Sequence, residues 1–205
     1  MRRFAPLFAC LALGACIDAD VTLDFSDGET VQTTAELSLS RQLYDMMGKK
    51  AENACPGGES SLTKSAYHCT MHDQREIAVV LDEGGKVSGK SELDPTEAAS
   101  IERIDDNHLR VSFDFTEMLK SNGQKPDDLG GMEDMVRAAM AGHSLSFNVT
   151  GYKITSSTGV ISEDGKTASR VIPVIALLDQ APELGEPFVT EVQLAQSCFL
   201  WVFCD

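Results

Sequence analysis

Two runs with a period of two, joined across an Asp-Gly turn, constrain this chain more than any other feature. Ala19, Val21, Leu23 and Phe25 alternate with Asp18, Asp20, Thr22 and Asp24. Val31, Thr33, Ala35, Leu37 and Leu39 alternate with Gln32, Thr34, Glu36 and Ser38, and Ser26-Asp27-Gly28-Glu29 lies between the runs. Successive side chains of a strand point to opposite faces, so this pattern predicts a half-buried antiparallel hairpin. A two-stranded hairpin is marginal alone and needs further strands or a helix against its apolar side.

The rest of the chain supplies them. Strands are predicted at Ala66–Met71, Ile77–Leu81, Ile101–Ile104, Leu109–Phe115, Leu145–Val149, Val160–Ile161, Ser169–Leu178 and Phe188–Leu194. Ser40 is placed to cap a helix running to about Glu52, with Leu43, Met46 and Met47 inward. A short helix is predicted at Asp94–Ala99. A longer one covers Leu129–Ala141, where Leu129, Met132, Val136, Ala139 and Met140 recur at helical spacing behind Asp127 and Asp128. Loops are expected at Ala54–Thr63, Ser156–Gly159 and Ala181–Pro187. No repeat, low-complexity tract or interdomain linker interrupts this order. The expectation is one α+β domain with a mainly antiparallel sheet and two main helices.

The first segment has a different character. Arg2 and Arg3 precede an apolar stretch, Phe4–Leu13, too short to span a bilayer but long enough for the core of a secretory leader. Leu13-Gly14-Ala15-Cys16 follows. This arrangement resembles the lipobox of bacterial lipoproteins. It implies removal of residues 1–15, a diacylglycerol thioether and fatty acylation (palmitate) on Cys16, and a folded domain at 16–205 tethered to a membrane. Two or three acyl chains hold firmly where one is marginal. The plainer alternative is an ordinary cleaved leader with an incidental cysteine. Ile17, rather than Asp, follows the cysteine, which favours the outer membrane in a host that has one.

Composition narrows the function. With 42% hydrophobic residues the chain has enough apolar material for a core. The formal charge is −15, and losing Arg2 and Arg3 with the leader makes it more negative still. Such a surface repels nucleic-acid phosphates and anionic lipid headgroups, and no nucleic-acid partner is expected. Beyond Cys10 and Cys16, four cysteines remain: Cys55, Cys69, Cys198 and Cys204. An exported protein sits where disulfides persist. Cys55 with Cys69 would close a short loop around Pro56-Gly57-Gly58. Cys198 and Cys204, at the ends of a straight strand, would stand about 20 Å apart. A disulfide needs about 5.5–6 Å. Either that segment folds back or its cysteines pair with Cys55 and Cys69.

Two stretches are similar to the LppM-domain family of bacterial envelope lipoproteins. CIDADVTLDFSDGETVQTTAELSLSRQL, residues 16–43, matches the family's opening of lipidated cysteine, acidic/apolar strand, turn, second strand and helix. SFNVTGYKITSSTGVISEDGKTASRVIPVIALLD, residues 146–179, resembles its closing hairpins. The chain departs from the pattern in lacking an aromatic in the closing strand and in carrying the Cys55–Cys69 region. The resemblance implies an α+β envelope domain with no enzymatic chemistry, whose role is to bind a lipid or another envelope component. It carries over no catalytic residue.

Four further groupings hold residue types that carry chemistry. His68-Cys69-Thr70-Met71-His72 offers the soft ligands that copper(I) prefers, and Met132, Met135, Met140 and His143 form a second such group. Methionine at helical spacing more often packs a core, and a cysteine held in a disulfide is not a ligand. Gly142-His143-Ser144-Leu145-Ser146 lacks the final glycine of a hydrolase nucleophile elbow and precedes a strand rather than a helix. Asp18, Asp20 and Asp24 read as the wet face of a strand rather than a calcium site. Phe199, Trp201 and Phe203, bracketed by Cys198 and Cys204, read as a terminal strand or as a disulfide-closed apolar loop that touches lipid or a partner. The expectation is thus a non-enzymatic, lipid-anchored envelope protein without cofactor. A soft-metal binder using His68, Met71 and His72 is the alternative, and a hydrolase comes third.

Overall fold

Strand β1 (Ile17–Asp24) and strand β2 (Thr30–Ser40) form the predicted hairpin, antiparallel from Ile17↔Leu39 to Asp24↔Gln32. The structure is a computed structural model that describes residues 17–48, 55–87, 99–116, 137–138, 140–178, 184 and 186–195. At the turn, Asp27 Oδ1 accepts the backbone N–H groups of Glu29 and Thr30, and Gly28 has φ +78°. A Cβ on Gly28 would also stand 2.5 Å from the Ala195 carbonyl oxygen, so both backbone angle and space call for glycine.

The remaining strands are β3 (Glu59–Leu62), β4 (Ala66–Glu76), β5 (Ala99–Arg103), β6 (His108–Phe113), β7 (Ser144–Thr150), β8 (Lys153–Ser157), β9 (Val160–Ile161), β10 (Thr167–Pro173) and β11 (Phe188–Gln193). Three short helices are described: α1 (Arg41–Met47), α2 (Ile77–Asp82) and α3 (Val174–Leu178). Seven strands form one sheet in the order β3-β4-β2-β1-β7-β10-β9, and four form a second in the order β5-β6-β11-β8. All pairs are antiparallel except β1 with β7. The α+β fold class is as expected from the sequence, with its strands divided between two sheets.

Both sheets feed one core. Val21 and Leu23 from β1, Phe147 and Val149 from β7, Leu109, Val111 and Phe113 from β6, and Phe188 and Val192 from β11 are all buried within it. The ring of Phe147 lies 5.1 Å from that of Phe113 and 5.0 Å from that of Phe115, joining the sheets through aromatic contacts. A smaller cluster of Leu39, Tyr67 and Cys69 is completed by Ile17, Leu43, Tyr44 and Met47, and α1 covers it. There Tyr44 stacks on Tyr67 with centroids 4.5 Å apart.

Several local expectations are corrected. Ile77–Leu81 is helix α2, not a strand: Ile77 and Val80 are buried at helical spacing, and a short apolar run does not reveal its own period. The strand expected at Ser169–Leu178 ends at Pro173, and α3 follows. The Ala54–Thr63 loop contains edge strand β3, whose four residues are all exposed and so show no alternation. Ser156 and Ser157 belong to β8 rather than a loop. Helix α1 is shorter than expected, with its C-cap at Gly48. Ala99 starts β5, and the rest of the Asp94–Ala99 helix lies outside the described residues. Of Leu129–Ala141, only Arg137, Ala138, Met140 and Ala141 are described, the first three as helix and Ala141 as turn.

Candidate functional site

The seven-stranded sheet buries one face; on the other, β1, β2, β4 and β7 present polar side chains, while Val171 of β10 and Val160 of β9 stand exposed at its far side. Its register aligns the outward residues into cross-strand rows. Asp18 pairs with Ser38 and Ser38 with His68; Asp20 pairs with Glu36 and Glu36 with Thr70; Thr22 pairs with Thr34 and Thr34 with His72. On the other side of β1, Ser146 and Asn148 of β7 sit beside Asp20 and Thr22. The row between Asp18 and His68 borders a depression of about 300 Å³, to which Glu36, Ser144 and Ser146 contribute.

The carboxylates of β1 hold the sheet together as well as facing water. Asp18 Oδ2 lies 3.1 Å from His143 Nδ1, and Asp18 Oδ1 accepts the Ser144 N–H at 3.0 Å. The His143 side chain is 14% exposed. Asn148 Nδ2 donates to both Asp20 oxygens at 3.0 and 3.1 Å, while its Oδ1 accepts the Ser169 hydroxyl at 2.7 Å. These bonds tie β1 to β7 and β7 to β10 at the parallel junction. Sequence reading assigned Asp18 and Asp20 to a solvated face and missed these partners, because residues 143–148 are remote from them along the chain.

This geometry offers a surface of hydroxyls, carboxylates and imidazoles able to hydrogen-bond a polar ligand. It does not assemble the weighed chemistries. Ser144 gives Asp18 its backbone N–H, not its hydroxyl. Thr34 Oγ1 lies 3.2 Å from His72 Nδ1 with no carboxylate orienting that ring among the described residues. His68 and His72 share the outer face, whereas Met71 packs into both apolar clusters on the inner face. The three soft-ligand candidates therefore do not converge. Cys69 is bonded to Cys55, with Cα atoms 5.7 Å apart. Among the described residues no group of three or more His, Cys, Asp or Glu side chains is placed to hold a metal ion. Cys16, Cys198, Phe199, Trp201, Phe203 and Cys204 lie outside the described residues.

Electrostatic perturbations concentrate in turns. The Asp105 carboxyl is held below its usual range by the Asn107 N–H and the His108 ring. Asp164 is lowered by the Ser162 hydroxyl and the Lys166 N–H. At Asp27 slight burial pushes the carboxyl up, and bonds from the Thr30 hydroxyl and the Thr30 and Glu29 N–H groups outweigh it, so the net shift is downward. On the outer face of the smaller sheet, the guanidinium of Arg110 is raised by hydrogen bonding to Glu191, 2.9 Å away, with Glu102 nearby.

No family model matches this chain, and no curated protein matches it. Among solved structures it is similar to the folded domain of the LppM protein of Mycobacterium tuberculosis, determined by NMR. The sequences are 11% identical, the TM-score is 0.46, and the alignment covers 90% of this chain and 93% of that one. A likeness of this size is one of coarse fold and carries no argument about activity.

Proposed function

We propose that this protein is a non-enzymatic lipoprotein of the bacterial cell envelope, fastened by lipid on Cys16 with residues 1–15 removed. The observation that carries the reading is the order of Arg2, Arg3, the apolar Phe4–Leu13 and the lipobox-like Leu13-Gly14-Ala15-Cys16 ahead of the hairpin. Ile17, the first described residue, is already paired in β1, so cleavage before Cys16 removes no described residue of that hairpin. The Cys55–Cys69 bond agrees with an oxidising, exported location. The outer polar face of the seven-stranded sheet is the surface on which an envelope lipid or protein would be bound, and Ile17 favours the outer membrane in a two-membrane host.

Intact-mass measurement of the protein extracted from membranes tests the reading. The expected species starts at Cys16 and carries a diacylglycerol thioether, and Cys16→Ser moves the protein to the soluble fraction. A free thiol at Cys16, or a chain retaining its leader, overturns the proposal. Mass spectrometry of co-purified lipid then separates a lipid-binding role from a protein-binding one.

A further inference from the structure

The geometry points to a fixed orientation of the domain on the membrane. The end of the sandwich that carries Ile17, Leu62 and Lys64 rests on the phospholipid headgroups, and the acidic opposite end points away. This inference rests on lipidation of Cys16, and its first support is the lack of slack behind that residue. Consecutive Cα atoms are about 3.8 Å apart, so Ile17 lies within one residue's reach of the lipid. Ile17 is already paired with Leu39. Asp18 is paired with Ser38 and bonded to His143 and Ser144, and Ala19 is paired with Leu145 on the other side. The tether therefore attaches to the rigid end of a central strand and not to a linker.

The register shows what else occupies that end. Ile17, Leu39, Tyr67 and Leu62 form one row across β1, β2, β4 and β3. Leu62 is 47% exposed, an apolar side chain at the rim of the row. Beside it, the turn to β4 carries exposed Lys64, and the Ser65 carbonyl accepts the Arg41 N–H at 2.9 Å, bringing the first residue of α1 alongside. Of the described carboxylates nearest this end, Asp18 is matched by His143 and Asp45 by Arg41; Asp20, Glu36 and Glu59 stand in the next outward row. Lys64 has no partner among the described residues.

The opposite end has the reverse character. The β1–β2 turn carries Asp27 and Glu29. Contacts gather the other turns around it: Leu194 N–H donates to the Asn107 carbonyl, Ala195 lies against Gly28, and Ile77 N–H donates to the Glu29 carbonyl. Asp105 and Asp106 accompany Asn107, and Glu83 follows α2. Asp164 sits in the turn before β10, whose first residue pairs with Thr150 beside Phe25. Arg75, Arg103, Lys86 and Lys166 lie at this end too, outnumbered by the carboxylates; Arg75 is bound to Glu83. The eight residues of β1 span about 26 Å, some three Debye lengths at physiological salt. A chain this acidic approaches anionic headgroups at least cost with that end outward, and an exposed Lys and Leu at the same end as the anchor, three strands across the sheet, fit a surface of phosphates over acyl chains.

The test uses native lysines. The full lipidated protein, in vesicles of phosphatidylcholine and phosphatidylglycerol, is treated with a membrane-impermeant amine reagent and mapped by mass spectrometry beside the Cys16→Ser chain free in the same buffer. The expected result is several-fold protection of Lys64 in the vesicle sample and unchanged reactivity of Lys166. Equal reactivity of Lys64 in both samples overturns the orientation. Protection of Lys64 in the free chain also overturns it, since another chain segment or a second copy then covers that end. Intact mass on the vesicle sample distinguishes the two failures. A lipidated protein with reactive Lys64 sinks the orientation alone, and an unlipidated one sinks the anchor itself.

Discussion

Replacing Cys55 by alanine isolates the contribution of the disulfide. Cys55 and Cys69 are separated by 14 residues, and Cys69 is 1% exposed in the cluster beneath α1. Alanine at position 55 breaks the cross-link while leaving the Cys69 sulfur in place to pack as a small apolar group. Closing a loop of about 15 residues in the unfolded chain is worth about 3 kcal/mol at room temperature by the chain-entropy estimate. With a urea slope of about 2–3 kcal/mol/M, the unfolding midpoint falls by about 1–1.5 M. The melting temperature falls by about 6–12 °C for a chain of this size. The assay is urea unfolding followed by circular dichroism, with thiol counting to show that the wild type holds the bond and that Cys69 has not found another partner. An unchanged midpoint with the wild-type bond intact refutes the loop-entropy reasoning, because the unfolded chain would then already hold those residues together. The double variant Cys55→Ala/Cys69→Ala loses more than the single one, since it also empties a buried site.

Two further outcomes follow from the core and from the turns. Phe147→Ala, which removes a ring lying between Phe113 and Phe115 at 1% exposure, costs about 3–5 kcal/mol in the same unfolding assay; a loss below about 1 kcal/mol would show that the sheets close over the gap. The lowered Asp164 carboxyl contributes stability that is fully present above the ordinary carboxyl value and is lost as pH falls through its folded value. The wild-type advantage over Asp164→Asn therefore shrinks as unfolding is measured at pH values below about 4, and an advantage that persists undiminished to strongly acid pH contradicts the assignment.

Much of the hairpin and little of the sheet order was legible in the sequence. Alternation from Asp18 to Leu39 around Asp27-Gly28 exposed β1 and β2 because strand period and turn chemistry are local properties. The same holds for β6, β7 and β11. Ile77–Leu81 misled because an apolar run of that length satisfies both periods, and β3 stayed hidden because an all-exposed edge has no pattern to show. For the candidate site, the strand expected at Ala66–Met71 stopped short of His72, whereas β4 runs to Glu76 and carries both His68 and His72. The sequence did not show that Met71 turns to the opposite face, although the period of two implies it once position 69 is known to be buried.

By itself the sequence determined the segments that alternate, the turns that reverse them, the acidic balance of the chain and the lipobox-like run Leu13-Gly14-Ala15-Cys16. Each of these depends on residues within a few positions of one another. Only the tertiary structure decided that β1 lies parallel to β7, that Asp18 meets His143 across 125 positions of chain, and that the strands of the larger sheet align hydroxyls and carboxylates on one face. The physical reason is that a strand's edge bonds to any backbone of suitable direction. The choice of partner is made by the shared burial of Val21, Phe147 and Phe113 rather than by local preference.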